Sequence, residues 1–279
     1  MVLIVESGAT KSNWILIQGG KIMHSMQLPG INITSNPQSI QHVNTYAEQN
    51  TQAISEIHFY GAGVSTQTVV DKLENRFKSF FGDIVIEVHS DILAASRSVS
   101  ADQQSIVAIL GTGTNAVLFD GKEIVKDLNA LGYLFNDFGC AFHLGQLTIN
   151  EYYFNRMSAE DKEIFESQFL VSRPEFKRTI YLSDKPNYEI GQCAKVLSLS
   201  SPELIDKITR QAFNAFFDNH IKYLTESKEY KLNFIGSISK VFETQLRSVA
   251  YDHGYSIGQI VADPIDGLIN YHMQYENRS

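Results

Sequence analysis

Two stretches of this chain repeat one design, and this repeat constrains the fold more than any other feature. The first begins at Leu3 and reads LIVESGATKSNWILI, and the second begins at Ile106 and reads IVAILGTGTNAVLFDG. Each has an apolar run, a turn with glycine and threonine, and a second apolar run, which is typical of a strand hairpin. In the first stretch, Leu3 to Val5 and Trp14 to Ile17 read as strands, with a turn from Ser7 to Asn13. The repeat predicts two similar halves that each open with such a hairpin.

The other patterns in the first half alternate strands with helices. Apolar runs from Ile57 and Ile84 read as strands, and helical spacing follows each of them, from Thr66 to Phe81 and from Ile92. This order is typical of an α/β fold. The second half has more helical spacing, but it also contains a strand pattern, KLNFIGSIS, before a final helix that starts near Pro264.

The length of the chain, 279 residues, exceeds the usual size of one domain. A polar stretch, SVSADQQS, separates the two halves just before the second hairpin. We therefore predict an N-terminal domain over residues 1–104 and a C-terminal domain over residues 105–263. The closing helix, within residues 264–279, is expected to pack back on the N-terminal domain.

Charge and cysteine content exclude several classes of protein. A net charge of -8 argues against general nucleic-acid binding, which needs a basic surface. Two cysteines, Cys140 and Cys193, are too few for a disulfide framework and suit a reducing compartment. The start of the chain lacks the features of a secretory signal, and no apolar run approaches the ~20 residues that span a bilayer. These observations predict a cytoplasmic protein with a small-molecule ligand, without membrane or nucleic-acid partners.

The first glycine-containing turn has the composition of an anion site. Oriented backbone N–H groups attract phosphate, and Ser7, Thr10 and Ser12 add hydroxyls while Lys11 adds a positive charge. Glu6 could then hold a magnesium ion, because magnesium at phosphate sites commonly takes one or two carboxylates and keeps water. The alternative is a tight hairpin whose polar residues face solvent.

Four segments of this chain, in the order in which they occur, resemble the motifs of the N-acetylglucosamine kinase and BadF-type ATPase family. This family belongs to the sugar-kinase and actin-like ATPase superfamily. The four segments are the two hairpins, SDILAA from Ser90 and DPIDGLINYH from Asp263. The resemblance covers almost the whole chain and is weakest between residues 150 and 230. It implies an α/β fold with two ribonuclease-H-like domains flanking a nucleotide cleft. It also implies ATP and Mg²⁺ as cofactors, with a sugar bound beside the γ-phosphate.

The resemblance assigns the nucleotide to residues of both hairpins and of the later segment GSIS. Glu6, where the family usually has aspartate, would be the metal ligand. The phosphate-binding residues would be Gly8, Thr10, Lys11, Gly111, Thr112, Gly113 and Thr114, and the adenosine would lie against Gly236 and Ser237.

The resemblance also assigns a sugar site. Asp91 would be the general base on the sugar hydroxyl, although aspartate before a helix is also a common N-cap. The segment LPGINIT would contribute Asn32. The segment LGYLFNDFGCAFHLG matches a family segment at Gly132, Asp137, Gly139 and Gly145, and the implied sugar contacts are Asn32, Asp91, Gly111, Thr112 and Asp137. Phe138 and Cys140 depart from the family pattern, which leaves another amino sugar or a sugar acid open.

Three functions are compatible with these residues. The first is a kinase that phosphorylates a hydroxyl of N-acetylglucosamine or a related hexosamine. The second is a BadF-type activator that couples ATP-driven closure to a partner protein; some of these hold an iron–sulfur cluster between two subunits, with two cysteines from each. The third is a binding protein without turnover. Whether the protein forms a homodimer is also left open.

The eight histidines, among them His89 and His143, lack the paired spacing of a zinc site, which predicts structural or surface roles.

Overall fold

Both predicted hairpins form, and each one begins a separate sheet in a separate folding unit. The computed structural model describes residues 1–8, 10–50, 53–100, 103–128, 130–169, 172–225 and 227–276. The first unit comprises Met1–Asp102, Gly121–Glu123 and Pro264–Ser279, and the second comprises Gln103–Asp120 and Ile124–Asp263.

The sheet of the first unit has the strand order β3-β2-β1-β4-β5. The first three strands are antiparallel neighbours, whereas β1, β4 and β5 run parallel. Their bounds are β1 Val2–Ser7, β2 Lys11–Gln18, β3 Lys21–Pro29, β4 Glu56–Gly61 and β5 Val85–Ser90. A 3₁₀ turn at Pro37–Gln41 precedes α1 His42–Gln49, and α2 Gln67–Phe81 and α3 Asp91–Val99 follow β4 and β5.

β1 is apolar without alternation because both faces of this sheet are covered. Leu3 and Val5 point to a core that contains Trp14, whose ring stacks on Tyr46 of α1 with a centroid distance of 4.4 Å. Ile4 points to the opposite core. Successive side chains of a strand alternate between faces, so one apolar run supplies two cores.

The sheet of the second unit repeats this arrangement, with the strand order β10-β9-β6-β7-β8. An antiparallel meander, β6-β7-β8, is joined through β6 to the parallel strands β9 and β10. The strands are β6 Ser105–Leu110, β7 Thr114–Phe119, β8 Ile124–Asp127, β9 Leu232–Ile235 and β10 Ile257–Val261. Two mixed sheets with flanking helices confirm the predicted α/β class.

Most of the helices of the second unit lie between β8 and β9. They are α4 Ala141–Tyr153, α5 Ala159–Gln168, α6 Arg173–Leu182, α7 Pro186–Leu197, α8 Pro202–Phe216 and the short α9 Lys222–Leu224. A π-helical turn, Phe217–Ile221, joins α8 to α9. α10 Ser237–Val241 and α11 Glu243–Asp252 connect β9 to β10. Among the residues that the structure describes, no helix combines the length and apolar character needed to cross a membrane.

The closing helix, α12 Ile265–Glu276, packs on the first unit. Its Leu268 joins Val2 and Ile4 in one buried cluster. A Cβ atom at Gly267 would collide with the carbonyl oxygen of Ser98, so glycine lets α12 approach α3 closely. Residues 277–279 of the predicted closing segment lie outside the described residues.

The predicted turn from Ser7 to Asn13 is wrong in its bounds. Ser7 pairs with Ser12, and Glu6 pairs with Asn13, so both strands continue beyond their apolar residues. The ladder extends because Ser7 and Ser12, although polar, are fully buried and hydrogen-bonded. The Trp14 indole N–H, for example, donates to Ser12 Oγ at 2.9 Å.

Candidate active site

The carboxyl ends of three parallel strands form one edge of the first sheet, and several predicted site residues lie there. The register aligns Ser7 of β1 with Gly61 of β4, and Gly61 with Ser90 of β5. Glu6 therefore lies just inside this edge, and Asp91 just beyond it. Their strands are separated by β4, which puts them about 10 Å apart across the sheet. Ligands of open α/β sheets commonly bind at this edge.

Asp91 is the first residue of α3, and Ser90 is the N-cap. The Asp91 side chain nevertheless bonds within the first turn, because Ile92 N–H donates to Asp91 Oδ1 at 2.9 Å. The positive end of the helix dipole favours a carboxylate at this position. Asp91 is thus a fixed carboxylate at the carboxyl edge of the parallel strands, and its role as general base stays a prediction.

Glu6 is buried, and amide side chains of β2 and β3 orient its carboxylate. Asn13 Nδ2 donates to Glu6 Oε2 at 3.0 Å, and Gln27 Nε2 donates to Asn13 Oδ1 at 3.0 Å. A carboxylate oxygen suits magnesium, which keeps water and needs only one or two protein carboxylates. No group of three or more His, Cys, Asp or Glu side chains in the described ranges could hold a metal ion. Phosphate and water would therefore have to complete the coordination of a magnesium ion at Glu6.

Several polar groups of the first glycine-containing turn form hydrogen bonds with other protein groups. Gly8 N–H donates to the Lys11 carbonyl at 3.0 Å, and Ser7 Oγ accepts from Ile31 N–H at 2.7 Å. Ser12 Oγ donates to a carbonyl of β3. The prediction that the Ser7 and Ser12 hydroxyls face an anion is therefore wrong. Thr10 and Lys11 are exposed, and their contact with phosphate stays a prediction; Ala9 lies outside the described residues.

Asn32 lies at the same edge as Glu6 and Asp91. Its Oδ1 accepts from Ser35 N–H at 3.1 Å, and the neighbouring Thr34 Oγ1 donates to the Gly63 carbonyl at 2.8 Å. Gly63 has a φ of +79°, and a Cβ atom there would collide with the Asn32 side chain. The sequence analysis missed Gly63, although the GAG motif after β4 was a signal for a tight turn.

In the second unit, the predicted phosphate loop and adenosine segment lie together. Because β6 and β9 are parallel, Gly111 and Gly236 follow them at one edge. A Cβ atom at Gly236, whose φ is +122°, would collide with the Leu110 carbonyl. At the first turn of α4, Ala141 N–H donates to the Gly111 carbonyl at 2.9 Å. The loop is therefore fixed between two helix N-termini, because Ser237 begins α10.

Asp137 lies directly against this loop. Thr114 N–H donates to Asp137 Oδ1 at 3.3 Å, and Thr114 Oγ1 donates to the Phe138 carbonyl at 2.6 Å. A Cβ atom at Gly113 would be 2.8 Å from Asp137 Oδ2. Burial raises the pKa of the Asp137 carboxyl, and the Thr114 N–H opposes this rise. Asp137 thus supports the loop; its predicted contact with a sugar stays a prediction.

The three predicted glycines of the segment LGYLFNDFGCAFHLG, residues 131–145, have different surroundings. Gly139 has a φ of +78°, and a Cβ atom there would be 2.9 Å from Phe216 Cβ. Gly145 packs against the backbone of Ile190, where a side chain would collide. Gly132 also has a positive φ, at +81°. These three glycines therefore shape the backbone of the segment.

Both cysteines are free and fully buried. Burial raises the pKa of the Cys140 thiol and of the Cys193 thiol to about 12 each. A cluster shared between two subunits needs thiolates at a surface, because thiolates are the iron ligands. The positions of these cysteines therefore give no support to a cluster-bearing activator.

Three histidines that the sequence analysis treated singly come together in the first unit. His58 Nδ1 and His89 Nε2 lie 3.0 Å and 3.1 Å from Glu87 Oε2. His272 Nε2 lies 2.9 Å from Tyr60 Oη, and its ring is 4.2 Å from that of His58. Strand register causes the first grouping, since His58 is directly opposite Glu87. We assign this cluster a structural role between the sheet and α12.

Comparisons with known proteins give structural matches. No protein-family model and no curated protein matches the sequence. A candidate N-acetylglucosamine kinase from Porphyromonas gingivalis is 28% identical, with a TM-score of 0.86, over 99% of this chain and 100% of that one. A candidate N-acetylglucosamine kinase from Chromobacterium violaceum is 13% identical, with a TM-score of 0.67, over 97% and 98% of the two chains.

A third solved structure carries both kinds of kinase ligand. This glucokinase of the ROK family from Streptomyces griseus, in complex with glucose and AMPPNP, is 14% identical, with a TM-score of 0.57, over 96% of this chain and 97% of that one. The matches to the Chromobacterium violaceum and Streptomyces griseus structures show only that the fold is shared. The resemblance inferred from the motifs is thus confirmed: the chain is similar over its whole length to an N-acetylglucosamine kinase candidate and has the actin-like ATPase fold of sugar kinases.

Proposed function

We propose that the protein transfers the γ-phosphoryl group of ATP to a hydroxyl of an amino sugar, with N-acetylglucosamine or a related hexosamine as acceptor. The observation that carries this proposal is the position of Asp91. It is a fixed carboxylate at the carboxyl edge of the parallel strands of the first sheet, near Glu6 and Asn32. The similarity to a candidate N-acetylglucosamine kinase supports the substrate class.

In the proposed reaction, Asp91 accepts the proton of the attacking hydroxyl. As that oxygen bonds to the γ-phosphorus, the bond between the γ-phosphorus and the bridging oxygen breaks, and ADP leaves. Asn32 would orient the sugar through its hydroxyls, and the hydrogen bond from Ser35 holds the Asn32 side chain in place for this. Asp137, Gly111 and Thr112 are the other proposed sugar contacts. Asp137 would accept hydrogen bonds from the sugar through the carboxylate lone pairs that do not accept from Thr114 N–H.

We propose that the chain binds ATP mainly by letting its backbone come close to the nucleotide. Gly236 and Ser237 would leave room for the adenosine, and the second loop would bind the phosphates through its amides and hydroxyls. Gly8, Thr10 and Lys11 would contact the phosphates from the first loop. The phosphate-binding residues of the second loop are Gly111, Thr112, Gly113 and Thr114. Magnesium, held at Glu6, would neutralise charge on the phosphates when bound.

The test is ADP release in a coupled assay with ATP, Mg²⁺ and a panel of hexoses, hexosamines and N-acetylated hexosamines. We expect ADP release to depend on an amino sugar. Asp91→Asn should lower kcat by about two orders of magnitude or more while ATP still binds, since this is the usual scale for loss of a general base. Asp83→Asn, which changes an exposed carboxylate before β5, is the matched control. Normal turnover by Asp91→Asn, or ADP release independent of sugar, would contradict the proposal.

The two alternative functions have distinct outcomes in the same assay. A BadF-type activator would hydrolyse ATP in response to a partner protein rather than a sugar. A binding protein without turnover would bind nucleotide and sugar without releasing ADP. Sedimentation of the purified protein would show whether it forms the homodimer that the sequence analysis leaves open.

A further inference from the structure

Two histidine rings, those of the buried His220 and the half-buried His143, hold the segment that carries Asp137. We call this stretch, residues 136–140, the Asp137 segment. His220 Nε2 lies 2.6 Å from the Asn136 carbonyl oxygen. Because a carbonyl oxygen can only accept, His220 Nε2 must carry a hydrogen. At the other end, Gly139 N–H donates to His143 Nδ1 at 3.1 Å, so His143 Nδ1 must carry none. The two rings therefore have fixed and opposite hydrogen-bonding roles.

Aromatic neighbours fix the orientation of both rings. His220 is stacked on Phe216 with a centroid distance of 5.4 Å, and Phe138 meets it edge-on at 6.2 Å. Phe138 also meets His143 edge-on, at 5.5 Å. His220 belongs to the π-helical turn, Phe217–Ile221, and such turns are rare and frequently occur at functional sites. Burial lowers the pKa of both histidines, which favours their neutral forms.

The Asp137 segment is in turn bonded to the predicted phosphate loop. Asp137 Oδ1 accepts from Thr114 N–H, and the Phe138 carbonyl accepts from Thr114 Oγ1. The Cys140 thiol adds a contact to the Asp137 carbonyl at 3.2 Å. Displacement of the segment would therefore change the position of Asp137 and the backbone of the loop together.

We propose that His220 and His143 are positioning residues that hold Asp137 against the loop Gly111–Thr114 and thereby set the affinity of this loop for the phosphates of ATP. The part of this inference that concerns ATP rests on the proposed function. The part that concerns the loop does not, because it follows from the contacts within the second unit. Neither ring is assigned a contact with ATP or the sugar.

The test compares variants that remove each hydrogen bond with variants that keep it. His220→Leu and His143→Leu remove it, whereas His220→Gln keeps an amide donor near the Nε2 position and His143→Asn keeps an acceptor near the Nδ1 position. His220→Asn is one methylene shorter than glutamine and serves as a polar variant that does not reach the carbonyl. Thermal melts establish the folded fraction of each variant.

Two readouts are measured on the full chain. Calorimetry with AMPPNP, without sugar, gives the affinity for the nucleotide. Hydrogen exchange gives the protection of the Thr114 amide and of the loop around it. We expect His220→Leu, His220→Asn and His143→Leu to bind AMPPNP about tenfold more weakly and to exchange faster at the loop, because a buried polar group loses its partner. His220→Gln and His143→Asn should stay within about threefold of the wild type.

His253→Leu is the matched control. The His253 ring stacks on Phe217 of the same π-helical turn, with a centroid distance of 4.8 Å, but it bonds to Asn214 rather than to the Asp137 segment. It should leave the affinity and the exchange at the loop unchanged. Wild-type exchange and affinity in the folded leucine variants and His220→Asn would overturn the inference. If the wild type does not bind AMPPNP, the proposed function fails, while the exchange at Thr114 still decides whether the histidines position the loop.

Discussion

His272 should make the stability of the protein depend on pH. It lies in α12 with an exposed fraction of 5%, and its Nε2 is 2.9 Å from Tyr60 Oη. Burial, followed by electrostatic interactions with His58, Arg97 and His89, lowers the pKa of His272 to about 2. The Arg97 guanidinium, which donates to the same Tyr60 hydroxyl at 2.6 Å, helps to keep the ring neutral in the folded state.

The size of the effect follows from the difference between the folded and unfolded pKa values. A histidine in the unfolded chain has a pKa of about 6.5, so below that pH the unfolded state binds a proton that the folded state does not. Stability that is present above pH 6.5 is therefore lost as the pH falls towards the folded pKa. Between pH 7 and pH 5 the loss from this one group is about 2 kcal/mol, because each pH unit below 6.5 costs about 1.4 kcal/mol. Since pH 5 lies far above the folded pKa, this figure is insensitive to its value.

Urea unfolding at pH 7 and pH 5 measures this loss. His272→Gln keeps a polar group near Tyr60 but does not titrate, so its free energy of unfolding should fall by about 2 kcal/mol less than that of the wild type between the two pH values. Burial also lowers the pKa of His89, His143 and His220, but these groups are present in both proteins and cancel in the comparison. Tyr60→Phe is the control, because it removes the hydroxyl and keeps the titrating ring. Equal losses in the wild type and His272→Gln would refute the reasoning.

Two further predictions concern the proposed ATP site. Gly113→Val should weaken AMPPNP binding measured by calorimetry, because the new side chain displaces Asp137, whose Oδ2 would lie 2.8 Å from its Cβ; unchanged affinity would mean that the loop does not bind phosphate. Glu6→Ala should nearly abolish sugar-dependent ADP release, whereas Glu6→Asp should retain it with a shifted preference between Mg²⁺ and Mn²⁺, because octahedral magnesium is sensitive to the reach of its ligand. Turnover that is indifferent to both changes at Glu6 would show that this carboxylate only supports the hairpin.

Hydrophobic periodicity predicted the strands and helices because it reflects which faces are buried. The run at Leu3 indicated a strand because each of its side chains enters one of two cores. The same reasoning misplaced the ends of the first turn, since Ser7 and Ser12 are polar yet fully buried. Their burial depends on hydrogen bonds to the backbone near Ile31 and Pro29, which no local pattern shows.

Groupings that depend on strand register or on distant segments were not predictable from the sequence. His58 meets Glu87 through the register of two parallel strands, and His272 contacts the His58 ring from the other end of the chain. The contact between His220 and Asn136 joins a loop to the π-helical turn that follows five intervening helices, α4 to α8. Motif order brought the candidate site residues to attention, but only the folded chain shows that Asp137 bonds to Thr114.

The return of α12 to the first unit has a consequence for synthesis on the ribosome. Translation supplies the strands of the first sheet early, but Leu268 and Ile269, which cover Val2 and Ile4, emerge only after the whole second unit has been made. One apolar face of the first sheet, covered by α3 but not yet by α12, therefore stays partly exposed for most of translation, a period in which exposed strands are prone to aggregate. The first unit thus begins to leave the ribosome before the second, but its core is completed last.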